Sequence, residues 1–311
     1  MSQPIIQTSE LTKTYGEFTA VNHLNINVNK GEVVGLLGQN GSGKTTTFLM
    51  LMGLSVPTSG TAKIAGYDVV QDSKAVRTVC GLLPDGAGYY EDLTAKQNLS
   101  YIGQLNDIPK LERDKRVAEL LGVVGLSKVA DKKVEQFSRG MKQRLGIAEV
   151  LMKKPQVAFF DEPTIGLDPQ GTKDIRELLL RLNKEQGITI VLSSHLLHDV
   201  QQTCNRLLII RAGKLIADDT IGNLSSKLLS REQPVIEFEL TTMAPDMLKE
   251  IEGISGVTSV NQENGRLYVK MNANKAREVS ETITKHNSTI LLMKPKEYSL
   301  EEIYLQFYEA D

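Results

Sequence analysis

The sequence contains no tryptophan, only two cysteines, and few aromatic residues, which make up 5% of its 311 residues. Cys80 and Cys204 lie far apart and form neither a CxxC pair nor a disulfide framework. A small disulfide-stabilised scaffold is therefore excluded, and a reducing compartment is expected. No internal repeat or low-complexity tract is visible either.

Long apolar runs are also absent. Nowhere do about 20 consecutive apolar residues occur, the length that a membrane-spanning helix needs. The first residues, MSQPIIQTSELTKTYG, lack the basic and apolar regions of a secretory signal. We therefore expect a cytoplasmic protein with no membrane span of its own.

Charge of one sign is not in excess, because 36 Lys and Arg oppose 38 Asp and Glu to give a net charge of −2. Proteins that hold duplex nucleic acid by bulk electrostatics carry a strongly basic face or domain, so no nucleic-acid partner is expected. Hydrophobic residues amount to 41%, an ordinary globular composition with room for about two domains.

The N-terminal part begins with short strands and turns. Alternation predicts strands over Ile5 to Leu11, Leu24 to Val28 and Val33 to Leu37. A glycine-rich segment, Gly38 to Thr45, follows, and helical spacing resumes over Thr46 to Leu54. The order is strand, glycine loop, helix.

Helical spacing dominates the middle of the chain, where we predict a helical insertion over about 86–150. From Val157 to Ile210, apolar runs alternate with helical stretches, which indicates a parallel sheet covered by helices on both faces. A polar stretch then predicts a domain boundary at 225 and a linker over 226–234.

The remaining residues, 235–311, have the pattern strand, helix, strand, strand, helix, strand, with a hairpin at Asn264-Gly265. This order predicts a small α+β ferredoxin-like domain. In a final helix, Ser299 and Glu302 fit a capping box, and an apolar stripe is predicted to pack on its own domain. The stripe consists of Leu300, Ile303, Tyr304, Phe307 and Tyr308.

The glycine-rich segment matches the phosphate-loop pattern GxxxxGK[ST] in the strand-to-helix context that the motif requires. Backbone N–H groups of such a loop meet phosphate oxygens, the lysine adds a positive charge, and the hydroxyl binds Mg²⁺. The candidate ATP-binding residues are Gly38, Gln39, Asn40, Gly41, Ser42, Gly43, Lys44, Thr45 and Thr46.

Two carboxylates, Asp161 and Glu162, end the apolar run VAFF. Ligands bind where parallel strands end, so Asp161 is a candidate Mg²⁺ ligand and Glu162 a candidate general base for the attacking water. With the phosphate loop, they predict a hydrolase that uses a nucleoside triphosphate and magnesium. No NKxD element is present to favour GTP.

The chain resembles the ATP-binding subunits of ABC transporters over about residues 4 to 225. Besides the two elements above, Phe137 to Arg144 (FSRGMKQR) is similar to the ABC signature, Gly166 to Pro169 (GLDP) to the D-loop, and Ser194-His195 to the switch histidine. The resemblance implies a P-loop NTPase core, a mixed sheet flanked by helices, with an antiparallel β subdomain and the helical insertion.

The resemblance also implies roles for residues outside the phosphate loop. Ser138 and Gly140 are expected to reach the ATP of an opposite subunit in a head-to-tail homodimer, across an interface that Asp168 organises. His195 is expected to contact the γ-phosphate and hold Glu162 and the water, so Glu162, His195 and Lys44 form the catalytic set. Tyr15 is placed where the family stacks an aromatic ring on adenine.

Three positions differ from the commonest family pattern. Asp85 stands where a glutamine is usual and is a candidate Mg²⁺ or water ligand. In the signature, Arg139 replaces glycine and Met141 replaces glutamine. These changes and the C-terminal extension are similar to the exporter branch often called type 2.

The function that follows is ATP hydrolysis, powering export of an unidentified substrate through separate membrane permease subunits. Such a subunit would lie on the cytoplasmic face of the membrane. Two alternatives stay open: a soluble ABC-type ATPase that acts on nucleic acid or ribosomes, and a nucleotide-gated regulatory module with slow hydrolysis.

Overall fold

The computed structural model describes residues 4–195, 197–231, 233–263, 265–296 and 300–309. The chain divides into two compact units, Met1–Thr220 and Ile221–Asp311. The predicted boundary at 225 and linker over 226–234 overlap a helix, Ile221–Arg231, which belongs to the second unit.

An antiparallel sheet opens the first unit. Its order is β2-β1-β5-β6, and β3 also pairs with β1. The strand predicted over Leu24 to Val28 is instead two strands, the second of which has only two residues. The strands are β1 (Ile6–Tyr15), β2 (Phe18–Leu24), β3 (Asn27–Val28), β5 (Ser59–Ile64) and β6 (Tyr67–Asp68), while β4 (Val33–Leu37) belongs to the second sheet.

The second sheet has six strands in the order β11-β10-β4-β9-β8-β7, in which only the pair β10 and β11 is antiparallel. Every residue of β4, β8 and β9 is buried, as the continuous apolar runs predict. The further strands are β7 (Cys80–Leu83), β8 (Val157–Asp161), β9 (Thr189–Ser194), β10 (Arg206–Arg211) and β11 (Lys214–Thr220).

Helices of the core pack against this sheet. The rings of Phe48 on α1 and Phe159 on β8 lie 5.2 Å apart between centroids, inside a core that also includes residues of the antiparallel sheet. The core helices are α1 (Lys44–Leu51), α2 (Ser73–Val79), α6 (Pro169–Gln186) and α7 (Leu197–Thr203).

The predicted helical insertion consists of α3 (Ala95–Leu105), α4 (Lys110–Val123) and α5 (Arg139–Leu151). Thr94 and Gln97 form a complete capping box at the start of α3. Buried Leu99, Leu120 and Leu145 come from the three helices in turn, so the insertion has an apolar interior.

The second unit contains the predicted strand and helix order. Its four-stranded antiparallel sheet has the order β13-β14-β12-β15, so β14 separates the two strands of the first βαβ element. Phe238, Leu267 and Val269 contribute to its core. The elements are α8 (Ile221–Arg231), β12 (Val235–Leu240), α9 (Pro245–Glu252), β13 (Val257–Glu263), β14 (Arg266–Met271), α10 (Ala276–Lys285), β15 (Ile290–Pro295) and α11 (Leu300–Glu309).

The predicted final helix is α11, where Leu300 and Ile303 are buried and the rings of Tyr304 and Tyr308 stack 5.0 Å apart. Ser299 of the predicted capping box lies outside the described residues. Among the described residues, the structure has no helix that is both long and apolar enough to span a membrane.

Candidate active site

The phosphate loop joins buried β4 to α1, and its glycines are required by close contacts. Gly43 has φ +107°, and a Cβ there would lie 2.4 Å from the Ala20 carbonyl oxygen. A Cβ on Gly38 would lie 2.3 Å from Ser42 Oγ and 2.5 Å from the Ile210 carbonyl oxygen. Since no side chain fits at either position, the backbone itself forms the wall of the loop.

A cavity of about 240 Å³ lies at this loop, at the ends of β7 and β8. The first N–H groups of α1 have no acceptor within the helix, so an anion in the cavity can accept hydrogen bonds from them. The cavity is lined by Phe18, Ala20, Asn40, Gly41, Gly43, Lys44, Thr45, Thr46, Asp85, Asp161 and Glu162.

Lys44 is the buried cation of the site, with 6% of its surface exposed. Its Nζ donates to the carbonyl oxygens of Gly38 at 2.8 Å and Gln39 at 3.2 Å. Burial lowers the pKa of its ammonium group, whereas the carboxylates of Glu162 and Asp161 oppose that shift. The charge of Lys44 is thus balanced locally by two carboxylates.

Thr45 and Asp161, far apart in the sequence, meet at the cavity. Thr45 Oγ1 donates to Asp161 Oδ2 at 2.7 Å, and Ser193 Oγ donates to Asp161 Oδ1 at 2.5 Å. Asp85 lines the same cavity as Thr45 and Asp161. One hydroxyl and two carboxylates are oxygen ligands of the kind that Mg²⁺ prefers. Asp85 follows β7 and is exposed.

Glu162 has a strained backbone, with φ +50°. Its N–H lies 3.2 Å from the Ser193 carbonyl oxygen and 3.1 Å from Ser193 Oγ, contacts that hold it in the left-handed region. Its Oε1 lies 2.9 Å from His195 Nδ1 and 4.0 Å from Lys44 Nζ. The carboxylate is therefore held between the phosphate-loop lysine and the histidine after β9.

Two buried oxygens at this site, Ser42 Oγ and Glu162 Oε1, have no hydrogen-bond partner of standard geometry among the described residues. Buried polar atoms are normally satisfied, so both mark places where a bound group or water supplies the missing partner. With the helix amides, Glu162 Oε1 fits a phosphate ligand and the water that attacks it, whereas Ser42 does not line the cavity.

Of the two aromatic residues beside the site, Tyr15 does not line the cavity, whereas Phe18 does. Tyr15 is half exposed at the end of β1, and Lys13 Nζ lies 4.9 Å from its ring centroid. Sequence reasoning missed Phe18, because the strand that carries it, β2, was not predicted.

Ser138, Gly140 and Asp168 do not line the cavity. Ser138 and Asp168 instead cap helices: Ser138 Oγ accepts from the Met141 N–H at 3.3 Å, and Asp168 Oδ1 from the Gly171 N–H at 3.0 Å. Ser138 and Asp168 are exposed. In the described chain, these residues therefore form a second surface apart from the phosphate loop.

Arg139, the first residue of α5, contacts the turn before α6 through its side chain. A Cβ on Gly166, which has φ +67°, would lie 2.5 Å from an Arg139 guanidinium nitrogen. Further along α5, Arg144 forms an ion pair with Asp174 of α6. The Arg139 side chain therefore packs against Gly166, in the turn that leads to Asp168.

Comparisons with known proteins agree with this geometry. Residues 21–165 match the family model described as ABC transporter. The chain is 42% identical over 237 residues to the bacitracin transport ATP-binding protein BcrA of Bacillus licheniformis, covering 76% of this chain and 75% of BcrA. It is 33% identical over 305 residues to the linearmycin resistance ATP-binding protein LnrL of Bacillus subtilis, covering 97% of each chain.

Among solved structures, one similar protein is a dimeric post-hydrolysis ATP-binding cassette, MJ0796, bound to ADP and Pi. The TM-score is 0.63 at 29% identity, and the match covers 69% of this chain and 98% of the cassette. The predicted P-loop ABC ATPase fold is confirmed. The phosphate loop of this chain faces paired carboxylates, and one relative matches the chain nearly end to end. This chain therefore belongs to the family of ABC transporter ATP-binding proteins.

Proposed function

We propose that this chain hydrolyses ATP to power export through separate permease subunits. The observation that carries the proposal is the position of the Glu162 carboxylate between Lys44 Nζ and His195 Nδ1, at the mouth of the phosphate loop. A carboxylate held there can take a proton from a water that attacks the terminal phosphate.

In this mechanism, each residue has a separate task. The loop amides and Lys44 bind the β- and γ-phosphates, and Glu162 is the general base. His195 orients Glu162 and donates to the terminal phosphate. Thr45 and Asp161, with Asp85, would hold Mg²⁺, which when bound neutralises charge on the phosphates.

A second chain completes the site. Ser138 and Gly140 would bind the γ-phosphate of ATP held by the other subunit, and Asp168 would contact the opposite phosphate loop. Support comes from their exposure on a surface apart from the cavity, and from a structural relative described as dimeric. ATP would close the dimer because it has a higher affinity for the closed state.

Closure would push on two permease subunits through the groove next to Asp85 and the helical insertion. Relatives named for bacitracin transport and linearmycin resistance support export as the direction. The chain would then lie on the cytoplasmic face of the membrane, held there by the permease.

The test is ATP turnover of the chain alone and with a candidate permease, a multi-span membrane protein sought among the neighbouring genes, reconstituted in vesicles. We expect the permease to stimulate hydrolysis several-fold and Glu162→Gln to abolish it in both preparations. Full hydrolysis that the permease does not change would contradict coupling to transport. Undiminished hydrolysis by Glu162→Gln would contradict the mechanism.

A further inference from the structure

A second cavity of about 600 Å³ lies between α2 and the helical insertion, away from the phosphate loop. It is formed by α2, the end of α3 and the turn that follows it, α4, and the residues that follow α5. These segments adjoin the starts of β7 and β8, whereas the nucleotide cavity lies where the same strands end. We call this second cavity the basic cleft.

Positive charge in the basic cleft exceeds negative charge. Five cationic side chains line it, and they face only two carboxylates, Asp107 and Glu112. Four of the cations make no ion pair with any described residue. The five are Lys74, Arg77, Arg116, Lys153 and Lys154, of which only Arg116 is paired, with Glu119.

Hydrogen bonds to backbone carbonyl oxygens fix two of these cations. Lys153 Nζ donates to the carbonyl oxygen of Arg77 at 2.5 Å, and the Arg77 guanidinium donates to the Gly53 carbonyl oxygen at 3.1 Å. Burial lowers the pKa of the Lys153 ammonium, Cys80 opposes that shift, and the charge of Arg77 lowers the pKa further. Each side chain keeps further N–H donors for a ligand.

The nucleotide cavity provides a contrast, because its buried cation has carboxylate partners. There, the buried cation Lys44 faces Asp161 and Glu162. In the basic cleft, by contrast, the partly buried side chains of Arg77 and Lys153 form no ion pair with a described carboxylate. Their like charges repel, and a bound anion would relieve that repulsion. The cleft also contains Arg116, whose buried Nε has no hydrogen-bond partner among the described residues.

We propose that the basic cleft is a binding site for a phosphate-bearing anion, with Arg77 and Lys153 as its principal ligands. With Glu119 counted, because it pairs with Arg116, the cleft keeps an excess of two positive charges. That excess matches the charge of about −1.5 to −2 that a phosphate monoester carries at neutral pH. Its volume lies within the usual range for small-molecule sites. The phosphate belongs to a free anion or to a lipid headgroup.

The experiment titrates the full-length chain with inorganic pyrophosphate in a calorimeter and compares three proteins. Wild type should bind two equivalents, one at the phosphate loop and one in the cleft. Lys44→Ala should keep the cleft site, and Arg77→Gln/Lys153→Gln should keep only the phosphate-loop site. We expect the cleft affinity to fall by about tenfold or more.

The matched control is Lys110→Gln/Lys173→Gln, which removes the same charge from two exposed lysines already paired with Asp114 and Glu177. It should bind two equivalents. Lys74→Gln/Lys154→Gln, two cleft lysines with no ion pair among the described residues, should weaken cleft binding even if the first variant fails to fold.

Flotation with phosphatidylglycerol vesicles separates the two sources of phosphate. Loss of flotation in the cleft variants but not in the control assigns the site to a lipid headgroup, and loss of pyrophosphate binding alone assigns it to a free anion. One equivalent of pyrophosphate on wild type, or a second equivalent that every cleft variant binds with wild-type affinity, would overturn the proposal. So would cleft variants that lose only permease association, because the cleft would then bind protein.

Discussion

Two surfaces of the first unit differ in how many contacts their functional residues make within the chain. We call the cavity at Lys44 and Glu162 the phosphate-loop surface, and the region of Ser138, Gly140 and Asp168 the signature surface. At the phosphate loop, Lys44 and Glu162 already contact groups of their own chain across a shared cavity. On the signature surface, Ser138 and Asp168 contact only their own helices, and both are exposed. In the proposed head-to-tail dimer, this difference means that one chain would contain two half-sites, each completed by another copy.

The largest expected effect is that of Glu162→Gln on the phosphate-loop surface. Glutamine preserves size but cannot take a proton, so kcat should fall by about 10²–10⁴-fold while ATP still binds. The ATP-bound dimer should accumulate on a sizing column. Glu177→Gln, a change at an exposed residue of α6, is the control; a monomeric Glu162→Gln protein with ATP bound would break the comparison.

On the signature surface, we expect Ser138→Asp to lower hydrolysis by about 10²-fold or more, because its charge repels a γ-phosphate. Aspartate is as good an N-cap as serine, so α5 should stay folded. Ser138→Asn, which caps equally well without charge, is the matched variant and should be far less impaired. The ATP affinity of the isolated chain should not change in either variant. Equal hydrolysis rates of the two variants would show that Ser138 does not contact the γ-phosphate.

Glu149, a partly buried carboxylate near the C-terminal end of α5, differs from Glu162 in its surroundings. Glu162 faces Lys44, whereas Glu149 on α5 has no ion pair with a described residue, and burial raises its pKa from 4.5 to about 7. Below pH 4.5 this group is protonated in both states. As pH rises towards 7, the unfolded chain releases the proton first, so the free energy of unfolding decreases.

Glu149→Gln should therefore be more stable than wild type at pH 8, by roughly 3 kcal/mol, and similar to it near pH 4. Urea unfolding at both pH values measures this difference. A stability difference that does not change with pH would show that Glu149 is ionised in the folded protein.

The smallest expected effect concerns Arg139 and Gly166. Gly166→Ala should cost about 1 kcal/mol for its positive φ and more for the contact with Arg139. In an Arg139→Gly background the second part should vanish, so the two changes should be non-additive by about 0.5 kcal/mol or more. Strict additivity in urea unfolding would mean that Arg139 does not contact the turn in solution.

How much the sequence predicts depends on whether a feature is local. The phosphate loop was predicted from eight adjacent residues, because strand, glycines and helix follow one another in the chain. The contact of Thr45 with Asp161 depends on parallel pairing of β8 with β9 and of β9 with β4. No local pattern reports such pairing. The sequence assigned both residues to one magnesium site only through the general rule that ligands bind where parallel strands end, and it did not predict their direct contact.

Other features were hidden for physical reasons. The positive φ of Glu162 follows from hydrogen bonds to Ser193, which a sequence does not show. The basic cleft draws Lys74, Arg77 and Lys153 from segments that are distant in the chain, so neither net charge nor a charge run reveals it. Helix α8 was missed because polar residues of its sequence are typical of linkers.

The most direct test of the head-to-tail account mixes two inactive proteins, Lys44→Ala and Ser138→Asp. Each homodimer has the same defect at both sites, whereas a mixed dimer has one site with both defects and one with none. Mixing should restore up to about one quarter of the wild-type hydrolysis rate, since half of the dimers are mixed and each has one intact site of two. A mixture as inactive as its components would contradict a nucleotide site shared between two chains.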